Sequence, residues 1–178
     1  DSQGYVWLAG RKKQLIIRGG HNIDPAVIEE ALHAHPAVAL AAAVGRPDAR
    51  VGELPVAYVQ LRAGADVNEA ELLRFAASRI GEAAARPKAV HILLQMPVTA
   101  VGKIYKPRLV EAEIADVVRE EARALGVELD GVQVRNDARL GLLAEVSVRR
   151  GSAALEQALA RYSFASTMRC QEQAATPA

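Results

Sequence analysis

Hydrophobic residues follow two patterns along this chain, short continuous runs and stripes with helical spacing. The continuous runs predict three buried strands, at residues 38–44, 54–61 and 90–94, although the alanines of the first run would also suit a helix. One helix is predicted to begin at Asp24-Pro25, before the first run, and another at Asn68, between the second and third runs, because Asp and Asn cap helices and proline fits the first turn. This alternation indicates helices packed in two or three layers around a small sheet.

Further apolar patterns predict elements at both ends of the chain and define the buried face of the first helix. Apolar residues 5–8 and 15–17 flank a polar stretch, which predicts a β-hairpin over residues 5–17. The stripe of the first helix comprises Val27, Ile28, Ala31 and Leu32. Beyond Lys106 we predict a long helix over residues 107–125, a hairpin from residues 132–135 and 140–148, and a helix over residues 154–162. The apolar stripe of the long helix comprises Val110, Ile114, Val117, Val118 and Leu125.

The predicted fold class is α+β: an N-terminal β-hairpin, a small three-stranded sheet packed with helices, and a small α/β C-terminal extension. We place a first domain at residues 1–110 and the helix and α/β extension at residues 111–162. The small, polar residues 163–178 predict a disordered tail. Because the chain opens on Asp1 rather than Met, we expect a piece of a longer protein.

Composition excludes several classes of function. The chain has 178 residues, 51% of them hydrophobic, and its 22 Lys and Arg nearly balance 21 Asp and Glu, so a nucleic-acid partner is disfavoured. No apolar run approaches the ~20 residues that span a bilayer, and no signal peptide is recognisable. A single cysteine and the lack of a CxxC motif predict neither disulfide nor metal site. We therefore expect a soluble, cytoplasmic protein.

Two segments carry candidate chemistry. Lys103 follows a glycine in the loop that joins the third strand to the long helix, where an ammonium could meet an anion. Gly19-Gly20 follows a cationic hairpin, and glycine lets another molecule approach the backbone closely. Taken singly, such a lysine is usually just solvated, and the cations of the hairpin tip are commonly only solubilising.

Together, however, the segments resemble the C-terminal domain of the adenylate-forming acyl-CoA synthetases. The stretch Pro97-Val98-Thr99-Ala100-Val101-Gly102-Lys103-Ile104-Tyr105-Lys106 looks like that family's terminal lysine motif. The resemblance covers residues 1–110, in ordered blocks at residues 4–17, 19–25, 28–29, 35–38, 44–48, 52–57, 86–88 and 97–106. Eight blocks in the same order make a chance agreement implausible.

The resemblance implies a two-step ligase. A carboxylic acid substrate attacks the α-phosphorus of ATP to give an acyl-adenylate and pyrophosphate, and the thiol of coenzyme A (CoA) then displaces AMP. The family's large N-terminal domain supplies the phosphate loop, the Mg²⁺ site and the acyl pocket. By the resemblance, this chain partners that domain, uses ATP and CoA only with it, and is inactive alone.

The resemblance also assigns candidate residues. Lys103 would be the cation between carboxylate and phosphate in adenylation, Arg11 would contact the ribose hydroxyls, and Lys13 would lie at the hinge about which the domain rotates. The CoA-facing set would comprise Gly19, Gly20, His21, Arg86 and Lys88.

Two alternatives remain open at the level of sequence. The acyl group could pass to a carrier protein instead of CoA, or the chain could be a non-catalytic binding module. The resemblance gives no role to the extension, which we expect to pack on the helix at residues 107–125 because that helix offers it an apolar stripe.

Overall fold

A computed structural model describes residues 15–170, which form two compact units. The described part of the first unit is residues 15–45 and 53–106, and that of the second is residues 46–52 and 107–170. Each unit has its own buried apolar cluster. The described residues form two sheets, one of five strands and one of three. The α+β class predicted from the sequence is confirmed.

The larger sheet has five strands in the order β2-β1-β4-β3, with β5 pairing in parallel with β4. Its elements in chain order are β1 (Ile16–Arg18), β2 (His21–Ile23), α1 (Pro25–His33), β3 (Val38–Asp48), β4 (Gly52–Leu61), α2 (Glu69–Arg79) and β5 (Val90–Leu93). The three predicted strands and two predicted helices are all present. The run at residues 38–44 is therefore a strand, and β3 extends beyond it to Asp48.

Side-chain caps fix the starts of both helices of the first unit, as the sequence predicted. The carboxylate of Asp24 accepts the N–H of Ala26 at 2.9 Å, and the side chain of Asn68 accepts the N–H of Glu71 at the same distance. Each cap satisfies a backbone donor that the first helical turn leaves unpaired. The two helices then pack their apolar faces into the first core.

Some positions in the first unit depart from the predicted pattern. Val27 is exposed, because the buried stripe of α1 runs through Pro25, Ile28 and Leu32 and turns Val27 toward solvent. The strand expected at residues 15–17 exists as β1, but it forms a hairpin with β2, which the sequence did not predict. Its predicted partner at residues 5–8 lies outside the described residues.

The second unit contains a three-stranded sheet in the order β6-β7-β8. Its elements are α3 (Lys106–Ala124), β6 (Leu129–Asp137), β7 (Gly141–Val148), α4 (Ala153–Leu159) and β8 (Ala165–Cys170). The first two strands form the predicted antiparallel hairpin, and α4 is the crossover that brings β8 parallel to β7. Lys106, the first residue of α3, belongs to the first unit.

The prediction of a disordered tail from residue 163 is wrong for its first half. Phe164 is buried, and residues 165–170 pair with β7 over the whole length of β8. Small polar side chains did not indicate this strand because pairing uses backbone groups, and one buried aromatic ring is enough to fix the segment. Residues 171–178 lie outside the described part.

The extension packs on the long helix, as expected. Ile114, Val117, Val118 and Ala122 of α3 share one buried cluster with apolar residues of β7 and α4. Leu125 was placed in the same stripe, but it follows the end of α3 and is exposed. The boundary between the compact units falls after Lys106, whereas the predicted first domain ends at residue 110, and the second unit also includes residues 46–52. The sequence could not predict this grouping, because residues 46–52 and 107–170 are separate segments of the chain.

A buried carboxylate ties the segment of residues 46–52 to α3 within the second unit. Glu113 has a side chain only 1% exposed, and it accepts a hydrogen bond from Arg46 at 2.7 Å. Arg46 also bonds Glu120 at 2.6 Å, but the side chain of Glu120 is 61% exposed. The two carboxylates share one guanidinium and differ in burial.

We expect Glu113→Ala to lower the free energy of unfolding by about 3 kcal/mol, since it breaks a buried pair and leaves Arg46 without its inner partner. Glu120→Ala is the matched control and should cost less than about 1 kcal/mol, because an exposed pair contributes little. Urea denaturation of the 178-residue chain measures both. Equal losses would contradict the interpretation.

Tyr162, just after α4, gives the second unit a pH dependence at alkaline pH. Its hydroxyl donates to Glu121 at 2.5 Å, and burial together with this hydrogen bond raises the pKa of Tyr162 from 10.0 to about 12. Between these two pH values the unfolded chain loses the proton while the folded chain keeps it. The hydroxyl therefore stabilises the fold below pH 10, and that contribution is lost as the pH rises toward 12.

Accordingly, we expect the free energy of unfolding to fall more steeply between pH 10 and 12 in the unchanged chain than in Tyr162→Phe. The measurement is a series of urea denaturations at fixed pH. The difference between the two curves cancels the titration of every other group. Parallel curves would show that Tyr162 has no raised pKa.

Candidate functional site

Lys103 lies in a small hairpin that ends just before α3. Val98 and Ile104 form a β-bridge, and Thr99 exchanges further backbone bonds within the loop: its N–H donates to the carbonyl of Lys103 at 2.7 Å and its carbonyl accepts the N–H of Gly102 at 2.8 Å. The N–H of Tyr105 closes the base on the carbonyl of Pro97 at 2.8 Å. We call residues 97–105 the lysine hairpin.

Gly102 gives the lysine hairpin its turn. Its φ is +77°, in the left-handed region that glycine adopts without cost, and a side chain there would meet nothing within 4 Å. The glycine is therefore needed for its conformation and not for space. This geometry is that of a three-residue hairpin loop with a left-handed residue before the returning strand. The residue after the turn is Lys103, and its N–H donates to the hydroxyl of Thr99 at 3.2 Å.

The side chain of Lys103 is exposed and makes no ion pair with another described residue. Its neighbours in the hairpin are apolar and also exposed, with Val101 at 79% and Val98 at 47%. An unpaired ammonium among exposed apolar side chains can meet an anion on another surface without first giving up a partner.

Both ends of the lysine hairpin are attached to the first unit. On the incoming side Met96 is buried, and its N–H donates to the side chain of Gln60 at 2.7 Å. On the outgoing side Lys106 forms an ion pair with Glu29 at 2.6 Å. The sequence assigned no role to Glu29, Gln60 or Lys106, although Glu29 and Lys106 lie within blocks of the resemblance.

The predicted diglycine forms the turn of the β1–β2 hairpin. Gly19 and Gly20 have φ values of 54° and 87°, and they separate the paired residues Arg18 and His21. Two consecutive left-handed residues in a two-residue loop make a type I′ turn, which matches the twist of the strands. The turn alone thus accounts for two glycines, in addition to any need for close approach.

Two contacts place this turn against the segment that follows α2. Arg18 donates to the carbonyl of Ala84 at 2.8 Å, and the ring of His21 lies 3.2 Å from Glu82. Arg86 belongs to the same segment and donates from Nε to the carbonyl of Ile80 at 3.0 Å. The structure therefore places Gly19, Gly20 and His21 against the segment that also contains Arg86.

Lys88, the fifth member of that set, has an exposed side chain just before β5, with its N–H bonded to the carbonyl of Pro55 at 2.7 Å. No hydrogen bond or ion pair between described residues joins this set to the lysine hairpin. Arg11 and Lys13 lie outside the described residues.

Glu53, which the sequence did not single out, supports β1 next to the diglycine turn. Its carboxylate accepts the N–H of Ile17 at 2.8 Å, and burial raises the pKa of Glu53. Gly45 faces this carboxylate so closely that a Cβ there would lie 2.6 Å from the Glu53 Cδ. A side chain at residue 45 would therefore require the carboxylate of Glu53 to move.

Comparison with known families identifies the first unit. The AMP-binding enzyme C-terminal domain matches residues 27–103, a segment that ends on the lysine of the hairpin. Residues 27–103 are an AMP-binding enzyme C-terminal domain. Arg86, Lys88 and Lys103 fall within the match, whereas Arg11, Lys13 and the diglycine precede it.

Relatives of this AMP-binding C-terminal domain are CoA ligases. The chain is 46% identical to the marinolic acid–CoA ligase of Pseudoalteromonas sp. strain SANK 73390, over 83% of the chain and 23% of that enzyme. It is 43% identical to the long-chain-fatty-acid–CoA ligase of Bacillus subtilis strain 168, over 64% of the chain and 20% of that enzyme. Among solved structures, ATP-bound MatB from Rhodopseudomonas palustris is 35% identical with a TM-score of 0.56, over 63% of the chain and 22% of MatB.

The AMP-binding C-terminal domain and its extension thus span about a fifth of the length of the curated relatives they match. The match to the marinolic acid–CoA ligase covers 148 residues, so only 30 lie outside it and it must include residues 31–148. It therefore takes in β6 and β7, so this part of the extension has a counterpart in the marinolic acid–CoA ligase.

Neither a membrane-spanning helix nor a cluster of metal ligands occurs in the described part of the chain. No helix among residues 15–170 is long and apolar enough to cross a membrane. The same residues contain no group of three or more His, Cys, Asp or Glu side chains that could hold a metal ion.

Proposed function

We propose that this chain is the mobile C-terminal part of an acyl-CoA synthetase, which converts ATP, a carboxylic acid and CoA into acyl-CoA, AMP and pyrophosphate. The observation that carries the proposal is a lysine without an ion-pair partner among the described residues, exposed at the end of the family match on a hairpin attached at both ends. The relatives, which are named as CoA ligases, support the same activity. The missing large N-terminal domain is the partner that completes the site.

Lys103 is the residue that we assign to adenylation. This step brings a carboxylate and a polyphosphate together, and negative charge moves onto the pyrophosphate as it leaves. A preorganised cation between the two anions stabilises that transition state more than the separated reactants. Because the ammonium of Lys103 has no ion-pair partner among the described residues, it can enter such a site without breaking an existing bond.

The diglycine face is assigned to the second step. A turn without side chains leaves its backbone open to a narrow thioalkyl arm. His21 follows the turn directly, and Arg86 lies in the segment that the turn contacts. The exposed Arg86 and Lys88 offer cations to the phosphates of CoA. The domain then acts twice, presenting Lys103 in adenylation and the diglycine face in thioester formation.

Arg11 and Lys13 keep their proposed roles at the ribose and at the hinge. We assign Mg²⁺ to the large domain, as the resemblance implies.

We expect Lys103→Ala in the full-length enzyme to slow adenylation about 100-fold to 1,000-fold, the usual loss when one preorganised donor is removed. Thioester formation from synthetic acyl-adenylate and CoA should remain near normal, since Lys103 acts only in the first step. Pyrophosphate exchange and thioester release measure the two steps separately. The control is Arg74→Ala, which removes an exposed cation of α2 and should change neither. Equal slowing of both steps, or of neither, would refute the role of Lys103.

Gly19→Asn tests whether the diglycine serves the thiol or only the turn. Asn-Gly is a favoured type I′ pair, and Asn tolerates the φ of 54° at this position, so the hairpin should persist with one added side chain. We expect slower thioester formation, unchanged adenylation and an unchanged unfolding midpoint. Gly20→Leu would be less informative, because it strains a φ of 87° as well as filling space. Normal thioester formation in Gly19→Asn would show that the diglycine is needed only to form the turn.

A further inference from the structure

The lysine hairpin is followed at once by a second lysine that points back into the first unit. Lys106 stands three residues after Lys103, and its ammonium lies 2.6 Å from the carboxylate of Glu29 on α1. The two side chains are only 24% and 22% exposed, in contrast to the exposed Lys103. A mostly buried ion pair fixes the positions of its partners better than a solvated one does.

Glu29 is itself fixed in position. The same carboxylate oxygen accepts the N–H of Ala43, in the middle of β3, at 2.8 Å. The residue before it on α1, Ile28, is fully buried in the first core. Glu29 therefore connects a helix, a strand and the outgoing end of the lysine hairpin through one carboxylate.

The reactive ammonium has no such contacts of its own. Lys103 has no ion-pair partner among the described residues, so its placement depends on the hairpin backbone. That backbone is attached at Met96 on one side and at Lys106 on the other. From this geometry we infer that Glu29 is a positioning residue for adenylation, which acts through Lys106 to hold the lysine hairpin at the angle that Lys103 needs. The inference rests on the proposed function.

Conservative variants separate this role from general stability. Glu29→Gln keeps an oxygen for the N–H of Ala43 but removes the charge that attracts Lys106. Lys106→Met removes the ammonium while keeping the length of the side chain, and Lys106→Arg restores a cation. The matched control is Glu30→Gln, the same change one residue along α1, at an exposed position that forms no ion pair with another described residue.

The first measurement needs no catalysis. In the 178-residue chain, the amides of Thr99 and Tyr105 are bonded within the lysine hairpin, and their hydrogen exchange reports its opening. We expect exchange about threefold faster or more in Glu29→Gln and Lys106→Met, but not in Lys106→Arg or Glu30→Gln. Amides of β3 and β4 should be unchanged. Unchanged exchange in the hairpin would overturn the inference, as would equal acceleration throughout the unit.

The second measurement uses the full-length enzyme. A misplaced reacting group costs up to about 100-fold, so we expect adenylation in Glu29→Gln to fall about tenfold or more, with thioester formation from acyl-adenylate unchanged. Lys106→Arg should recover most of the adenylation rate. In the double variant Glu29→Gln with Lys106→Met, the loss should equal that of either single variant, because both break one contact. Additive losses, or equal slowing of both steps, would overturn the role of Glu29.

The two measurements also distinguish this inference from the proposed function. Suppose that exchange in the hairpin accelerates in Glu29→Gln and Lys106→Met, but Lys103→Ala leaves adenylation unchanged. The proposed function then fails, while the attachment of the lysine hairpin through Glu29 and Lys106 remains supported. If Lys103→Ala abolishes adenylation but Glu29→Gln changes neither exchange nor rate, then only the positioning role fails.

Discussion

In the role that we propose for it, the ammonium of Lys103 meets two anions on another surface and therefore has no strong partner of its own, and this constraint accounts for how the lysine hairpin is held. Lys103 is exposed on the lysine hairpin, so its precision comes from backbone bonds across the hairpin and from the attachment of its two ends. The attachments use buried or half-buried groups, namely Met96 and the Glu29–Lys106 pair. The fixed contacts are thus made by the residues at the ends of the lysine hairpin and not by the ammonium of Lys103 itself.

The elements of this fold were readable from the sequence because local signals agreed with the packing. Asp24 and Asn68 capped the expected helices, and the apolar runs became β3, β4 and β5. Failures occurred where the deciding partner was distant. Residues 165–170 form a strand because β7 accepts them, and the pair of Arg46 with Glu113 joins positions 67 residues apart. Neither partnership leaves a periodic pattern in the chain.

The candidate site divides in the same way. Lys103 and the diglycine were found because each belongs to a motif with a fixed order of residues. Glu29 and Lys106 lie within blocks of the resemblance, but the sequence assigned them no role, because a carboxylate on a helix and a lysine at the end of a motif do not indicate that the two are paired. Only the 2.6 Å contact between them, and the shared bond to Ala43, distinguish this pair. The contacts that hold the lysine hairpin in place therefore become visible only in the folded structure.

Glycines in this domain serve two different physical needs, and confusing them would misassign function. Gly102 and Gly20 have positive φ values, and a Cβ added at either position would meet nothing within 4 Å, so their conformation is what matters. Gly45 instead faces the carboxylate of Glu53, which a side chain at residue 45 would require to move. The role of a diglycine beside a proposed thiol passage is therefore ambiguous until the need for the turn conformation and the need for empty space are tested separately. Asn in the first turn position separates them because it satisfies the backbone while occupying the space.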